Sequence, residues 1–532
     1  MSKFRLLVTV LLVALCTGFY SCGEDNDNNN TSNEGGNSSI TGTTAKVDLK
    51  KAGSLSTLIS DDVKFNITDL TITGDINGDD IILIREMAGA DMNGDETKGR
   101  LSVLNLKDAN IVAGGNPYYV KSTTEACYSK KNIVGSYMFA NCKLSNVTLP
   151  SNATEIGSYI FNKKDIEGNP TDNTILTSII IGDKVTIIGY SAFSGCTSLT
   201  EVIIPASVVQ ISDGAFSGYT TKEFIVSEDN HYYSSLDGVL FNKDKSQLLI
   251  YPIAKPNSSY VIPNSVTSIK KYTFSSCKLT SITIGDKITD ITDIGFNEYI
   301  AEYKVSEGNN NYSSLEGVLF NKDRTKLVAY PKAKTNSSYT IPSSVNEIGN
   351  EVFSGCSNLT TLNLNNVTRI GRYITSYIRS FTVPDSNTAY SAIDGVLFNK
   401  DQTSLIVYPM ALMKDYEPNG KGSSYTIPDG VETIASYAFF PLGEFIHIDD
   451  ITHFQYYLLE NLTIPASVNH INNGEALLGV LNIHCKGEIP PNIYISNFSQ
   501  NPFTNRNVYV PMSAVNAYKQ AIGWKDNNII GE

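Results

Sequence analysis

Apolar residues along this chain alternate over short stretches and then fall into an irregular spacing. In Leu199-Thr-Glu-Val202-Ile-Ile204-Pro205, Val202 and Ile204 point one way and Ile203 the other, the period-two pattern of a short strand. Pro205 has no backbone donor and fixes its own φ, so it stands where the strand stops; Gly182 and Gly285 hold the same place in sister segments. Val208, Ile211, Ala215 and Phe216 then bring apolar positions back at a spacing too short for a long helix, which predicts turns and brief helical pieces. The pattern recurs: Val185, Ile188 and Phe193 return as Val208, Ile211 and Phe216, each 23 residues later. A buried Ile, Leu or Phe contributes roughly 1.5–3 kcal/mol against a backbone cost of about 1–2 kcal/mol per residue, so a solitary coil would not fold. Coils of this kind must stack.

A longer period lies over the short one. Tyr-Ser-Ser-Leu-[Asp/Glu]-Gly-Val-Leu-Phe-Asn-Lys-Asp occurs at 233–244 and 312–323 and, with two changes, at 390–401; Phe241, Phe320 and Phe398 are 79 and 78 residues apart. Each phrase runs on to Tyr-Pro (Tyr251-Pro252, Tyr330-Pro331, Tyr408-Pro409), which reads as strand, Asn-Lys-Asp turn, strand: a hairpin inserted between coils. A small loop insertion falls within 410–422.

Phe-x-x-Cys stands at Phe139/Cys142, Phe193/Cys196, Phe274/Cys277 and Phe353/Cys356. The fullest copy is Ile188-Gly189-Tyr-Ser-Ala192-Phe193-Ser-Gly-Cys196-Thr-Ser-Leu199-Thr-Glu-Val202-Ile-Ile204-Pro205. It resembles the BspA-type leucine-rich repeat family of mostly bacterial surface proteins, and degenerate copies run over roughly 132–484. The resemblance implies an α/β leucine-rich repeat solenoid with short strands on the concave side, short helices or turns opposite, and inserted β-hairpins. It also implies adhesion to host extracellular protein or to other cells, an expectation carried by analogy. Val508-Tyr-Val510-Pro511 with Gly523-Trp524, and Leu70-Thr-Ile-Thr-Gly74 with Leu101-Ser-Val-Leu104, resemble the closing and opening segments of such proteins. The expected organisation is therefore 1–21 signal peptide, 22–45 flexible tether, 46–131 N-terminal repeat or cap, 132–484 repeats and 485–532 C-terminal cap.

The signal peptide rests on Lys3 and Arg5, the apolar stretch 6–15 and the small Ser21 before Cys22, which makes Cys22 the candidate for lipid attachment. Asn, Ser, Asp, Gly and Thr fill 23–44, hence the tether. Glu24 and Asp25 resemble a surface-export signal of Bacteroidota-type lipoproteins, so the expected location is the outer face of an outer membrane, held by lipid alone. With a formal charge of −13 and no Lys/Arg cluster, nucleic acid is not an expected partner. Only 18% of residues are charged, which leaves Ser, Thr, Asn and Tyr to cover the surface.

Cys142, Cys196, Cys277 and Cys356 are expected to be small core residues, because an intervening coil holds neighbouring thiols too far apart to bridge. Spacing leaves Cys127 and Cys485 undecided. Asp75, Asn77, Asp79 and Glu86 mimic a calcium loop, but Asp80 stands where the sharp turn needs glycine, so an Asn-Gly turn between strand and helix is the preferred reading. His447, Asp449, Asp450 and His453 match no zinc spacing, and Ser275-Ser-Cys-Lys278 lies at a repeat's Cys position. No enzyme activity, metal or cofactor is expected.

The strand positions pointing away from the core carry the binding expectation: Thr148, Ile180, Ile203, Thr283, Asn363 and Thr463, aligned by stacking into one column, with Tyr232, Tyr233, Tyr312 and Tyr390 as rim aromatics. The first expected partner is an extracellular protein. The alternative is a glycan captured for nutrient uptake. Oligomeric state is not readable from the sequence.

Overall fold

A computed structural model describes residues 29–532 apart from 123, 165–169, 174, 217–220, 272, 276, 292–296, 375–376, 416–421, 449–450 and 495–503. The chain divides into two compact units, 1–199 with 207–218, and 200–206 with 219–532. Strands dominate both, and each coil gives one strand to a first sheet and a two-residue strand to a second.

In the first unit the first sheet runs in the order 29–33, 36–41, 44–49, 69–76, 103–105, 146–148, 178–180, parallel from 44–49 onward. The second sheet stacks 133–134, 155–156, 187–188 and 210–211 in parallel. Between the sheets Phe139, Phe161, Phe193 and Phe216 lie over one another with ring centroids 5.8, 5.9 and 5.7 Å apart. Phe193 and Phe216, matched 23 residues apart in sequence, are inclined by only 2°. All four are buried, and each stacked pair adds about 0.5–1.5 kcal/mol beyond the area it hides. The low-complexity stretch expected to be a free tether instead supplies strands Asn29–Asn33 and Gly36–Thr41. Alternation is the reason: Gly36 and Ser38 face inward, and the segment pairs residue for residue with Thr44–Leu49, whose Ala45, Val47 and Leu49 are core.

The helix Gly78–Met87 follows strand Asp69–Ile76, as the Asn-Gly reading requires. Asn77 caps it, and the buried Asp80 carboxylate accepts from the backbone N–H groups of Gly53, Leu55 and Asn77. Burial raises the Asp80 pKa against the pull of those three bonds. From the last turn the fully buried Arg85 donates to the carbonyls of Asp91, Tyr137 and Met138, which ties the N-terminal region to the first coil.

In the second unit the same two ladders exist, but the first sheet is broken into separate pieces: 201–204 with 223–226; 259–261, 281–284 and 302–305; 338–340, 361–363 and 380–382; and a five-stranded piece from 424–426 to 528–531. What interrupts it is the long-period phrase. The structure corrects the expected two-stranded hairpin to a three-stranded meander, Tyr233–Leu236, Val239–Asn242 and Gln247–Ile250, repeated at 312–329 and 390–407. Its first turn is two residues with positive φ at both (Asp237 49°, Gly238 73°; Glu316 51°, Gly317 81°; Asp394 49°, Gly395 80°), the geometry that matches strand twist. The third strand is not an insertion at all: Gln247–Ile250 pairs in parallel with Ser268–Ile269 and is that coil's second-sheet strand.

One buried asparagine seats each meander. Asn230, Asn309 and Asn387 donate through Nδ2 to carbonyls of the preceding coil (Pro205; Gly285 and Ile288; Asn365 and Val367) and accept through Oδ1 from the two N–H groups that open the meander. The turn glycines then close the sheet edge: Phe224, Tyr303 and Phe381 donate their N–H to the carbonyls of Gly238, Gly317 and Gly395. Each meander also carries a triad of packed rings, Tyr251/Tyr260/Phe274, Tyr330/Tyr339/Phe353 and Tyr408/Tyr425/Phe439.

The six cysteines within the described residues are free. Cys142, Cys196, Cys277, Cys356 and Cys485 are buried and Cys127 is half-buried. Burial pushes Cys196, Cys356 and Cys485 up to about 12 and Cys277 up to about 11, so these thiols stay neutral packing groups.

Candidate functional site: the outward face of the first sheet

Thr148 pairs in parallel register with Asn105 on one side and Ile180 on the other, and Ile180 is 45% exposed. These two expected positions stand together. The other four do not form one column, because each belongs to a different piece of the interrupted sheet. Ile203 sits beside Ile225; Thr283 between Val261 and Lys304; Asn363 between Thr340 and Thr382; Thr463 between Thr426 and His484. Asn363 Oδ1 accepts from Asn365 N–H at 3.0 Å and so holds its own turn. Of the expected rim aromatics Tyr232 is well exposed, while Tyr233, Tyr312 and Tyr390 are half-buried, Tyr312 donating to the Thr289 carbonyl.

Charges flank the short side chains. Glu201 and Glu223 are register partners beside Ile203, and partial burial, then the like charge, raises Glu201. Lys304 pairs with Glu302 at 2.7 Å next to Thr283 and lowers the Glu302 pKa.

The longest unbroken outward surface in the second unit is the five-stranded piece. Thr426, Thr463, His484, Tyr509 and Ile530 share one row. Ser424, Asn461, Asn482, Asn507 and Asn528 make the next, in which each of the last three donates an amide to its neighbour's oxygen at 3.3, 3.1 and 3.0 Å. His484 lies flat on Tyr509, 4.5 Å between centroids and 7° between planes. His484 Nδ1 and Lys486 Nζ are each 3.2 Å from the Glu532 carboxylate; partial burial opposes its ionisation, but these two partners prevail and hold its pKa below the usual range. The sequence reading placed the last two strands in the expected C-terminal cap, 485–532, and of these rows named only Thr463. The signal was present: Asn-apolar-x-apolar recurs at Asn461-Leu-Thr-Ile, Asn482-Ile-His-Cys, Asn507-Val-Tyr-Val and Asn528-Ile-Ile-Gly.

The remaining candidates are spent elsewhere or lie apart. Asp75 accepts from Asn110, Asp79 from Asn116, and Glu86 pairs with Lys64, so the carboxylates of the calcium-like loop have separate partners. Among the described residues no three His, Cys, Asp or Glu side chains gather as metal ligands. His447 and His453 fall on the hairpin Leu442–Ile448/Ile451–Tyr457, while Asp449, Asp450 and the lipidation candidate Cys22 lie outside the described residues. No described helix is long and apolar enough to cross a membrane.

With the coil and its two ladders defined, the repeat class is fixed. Residues 164–243, 254–336 and 332–403 match the BspA type Leucine rich repeat region, in six copies. Over these residues the chain carries leucine-rich repeats of the BspA type. Similar solved structures include a leucine rich cell surface protein from Faecalibacterium prausnitzii A2-165 (18% identity, 88% of this chain and 96% of that one, TM-score 0.34). Others are the pneumococcal vaccine antigen PcpA (16%, 95% and 99%, 0.30) and a leucine-rich repeat protein from Bacteroides ovatus ATCC 8483 (17%, 71% and 93%, 0.28). No curated protein matches the sequence.

Proposed function

We propose that this chain is a surface-displayed, lipid-anchored repeat protein that binds an extracellular protein through the outward face of its first sheet and performs no chemistry of its own. The observation that carries the reading is the five-stranded outward surface, where amide, hydroxyl, imidazole and phenol groups stand in two straight rows on a rigid backbone. Such a surface offers donors and acceptors at fixed spacing with few fixed charges, which suits recognition of another protein's polar surface. Location is tested by protease shaving of whole cells: the chain is cut if displayed and spared if not. Binding is tested on arrays of immobilised extracellular matrix and plasma proteins. Retention that falls at least tenfold on Tyr509→Glu, with the fold intact, supports the reading; no retention on any such protein ends it.

A further inference from the structure

A second aromatic row lies in the first unit. Tyr119, Tyr137, Tyr159 and Tyr190 follow one another with ring centroids 5.2, 5.2 and 5.5 Å apart; the first three are near parallel and Tyr190 is set edge-on. Their backbone makes the row costly. Tyr137 and Tyr159 have φ of 59° and 57°, the left-handed region that penalises bulky side chains, and each stands two residues before a ladder phenylalanine. Gly214, with φ of 65°, holds the same place before Phe216 and shows the residue that fits there without strain.

The hydroxyls explain what the rings are free to do. Among the described residues none of the four phenols has a hydrogen-bond partner in the protein, and none is a buried orphan. Tyr119 is buried, Tyr137 and Tyr159 are half-buried and Tyr190 is 50% exposed. At the same coil position in the second unit Tyr437 is hydrogen-bonded to Tyr373 and Glu475. Lys121, the cation beside Tyr137 and Tyr159, is paired with Glu125 at 2.8 Å. The Arg85 guanidinium lies 5.0 Å over the buried Tyr119 ring and closes that end of the row, which leaves Tyr137, Tyr159 and Tyr190 as its polar-tipped teeth.

We infer that this comb binds an extended neutral glycan laid along the coils, one sugar ring to each of Tyr137, Tyr159 and Tyr190. An extended pyranose chain advances by about one coil per sugar, placing sugar hydroxyls at the phenols in the same register. A peptide strand repeats a side chain on one face about every 6.6 Å and falls out of step with teeth 5.2 Å apart. A nucleic acid strand needs unpaired cations, which the comb lacks. The inference goes beyond the protein-binding reading and uses different residues, so either can fail alone.

Affinity electrophoresis of the full chain through gels containing cellulose ether, β-mannan, xylan or, as an anionic probe, heparin tests it. Retardation by at least one neutral polysaccharide is expected, weakened at least tenfold by Tyr159→Ser and several-fold by the Tyr137→Phe/Tyr159→Phe pair, which keeps the rings and removes the hydroxyls. Tyr159→Gly, relieved of backbone strain, should retain the folded circular dichroism spectrum and lose retardation equally. No retardation by any neutral polymer, retardation by heparin alone, or retardation indifferent to Tyr159→Ser and Tyr159→Gly would overturn the inference.

Discussion

The two units solve the same burial problem by different means. In the first, phenylalanines from four successive coils form one continuous stack and the first sheet passes unbroken from Thr44 to Ile180. In the second, the rings are gathered in separate Tyr/Tyr/Phe triads, and a buried asparagine with an Asp-Gly or Glu-Gly turn joins each meander to the coil before it. A stack of identical rings asks only that each coil repeat the last. A meander needs polar groups placed to fractions of an ångström, because every buried amide must find its partners. Repetition in the second unit is therefore modular at 78–79 residues, and it is modular in its hydrogen bonds as well as in its sequence.

The sharpest way to break the contrast is to remove one ring from the continuous stack. Phe193→Ala should cost about 3–5 kcal/mol in urea unfolding, because Phe193 is fully buried between Phe161 and Phe216. Next, Asn309→Ala removes the buried amide that serves the carbonyls of Gly285 and Ile288 and the N–H groups of Asn311 and Tyr312. The expected loss is about 1–3 kcal/mol for a buried group left unpaired, with faster hydrogen exchange confined to the second unit. Exchange that quickens equally in the first unit would remove the distinction between them.

Gly317→Ala is a smaller probe of the same seam. Its φ of 81° disfavours a side chain, and a Cβ there would lie 2.9 Å from Glu302 Cβ. A loss of roughly 1–2 kcal/mol is expected, whereas Gly422→Ala, at a φ of 86° with open space around it, should lose only the backbone part. Differential scanning fluorimetry of the pair separates contact from strain.

Alkali should act mildly and on both units. The buried thiols have an ordinary pKa of 9.0, raised to about 12 at Cys196 and Cys356. A raised folded-state pKa favours the protonated folded form, so its contribution is whole below pH 9.0 and declines as pH climbs toward 12, where the unfolded thiol ionises first. Cys196→Ala and Cys356→Ala should each flatten that decline. Thiol alkylation of the native chain should reach half-buried Cys127 before the others.

The coil was legible in the sequence because its signals are local. Val202/Ile204 alternation, the Pro205 stop and the 23-residue return of Phe193 at Phe216 each depend on a few neighbouring residues, and the stacked rings follow from them. Sheet continuity was not legible, since whether Thr283 and Asn363 share a sheet depends on what a meander does to an edge many residues away. The meander's first strand hid in Tyr-Ser-Ser-Leu, a phrase too polar for strand periodicity, although the Asp-Gly after it marks a two-residue hairpin turn. Low-complexity composition in 23–44 suggested a tether, while the inward alternation of Gly36 and Ser38 pointed to a strand. The Tyr137 and Tyr159 comb was invisible for another reason: nothing in the sequence announces a tyrosine with positive φ.

Register across adjacent coils underlies every site assigned above, and a double-cysteine bridge tests it most directly. In Thr148→Cys/Ile180→Cys the two new thiols would sit on directly paired residues of parallel strands, close enough to join under mild oxidation, whereas Thr148→Cys/Ser178→Cys would place them two residues out of step. The account predicts a cross-linked peptide from the first pair and little from the second by mass spectrometry. Equal linkage in both, or linkage only in the second, would contradict the stacking on which the outward rows and the tyrosine comb depend.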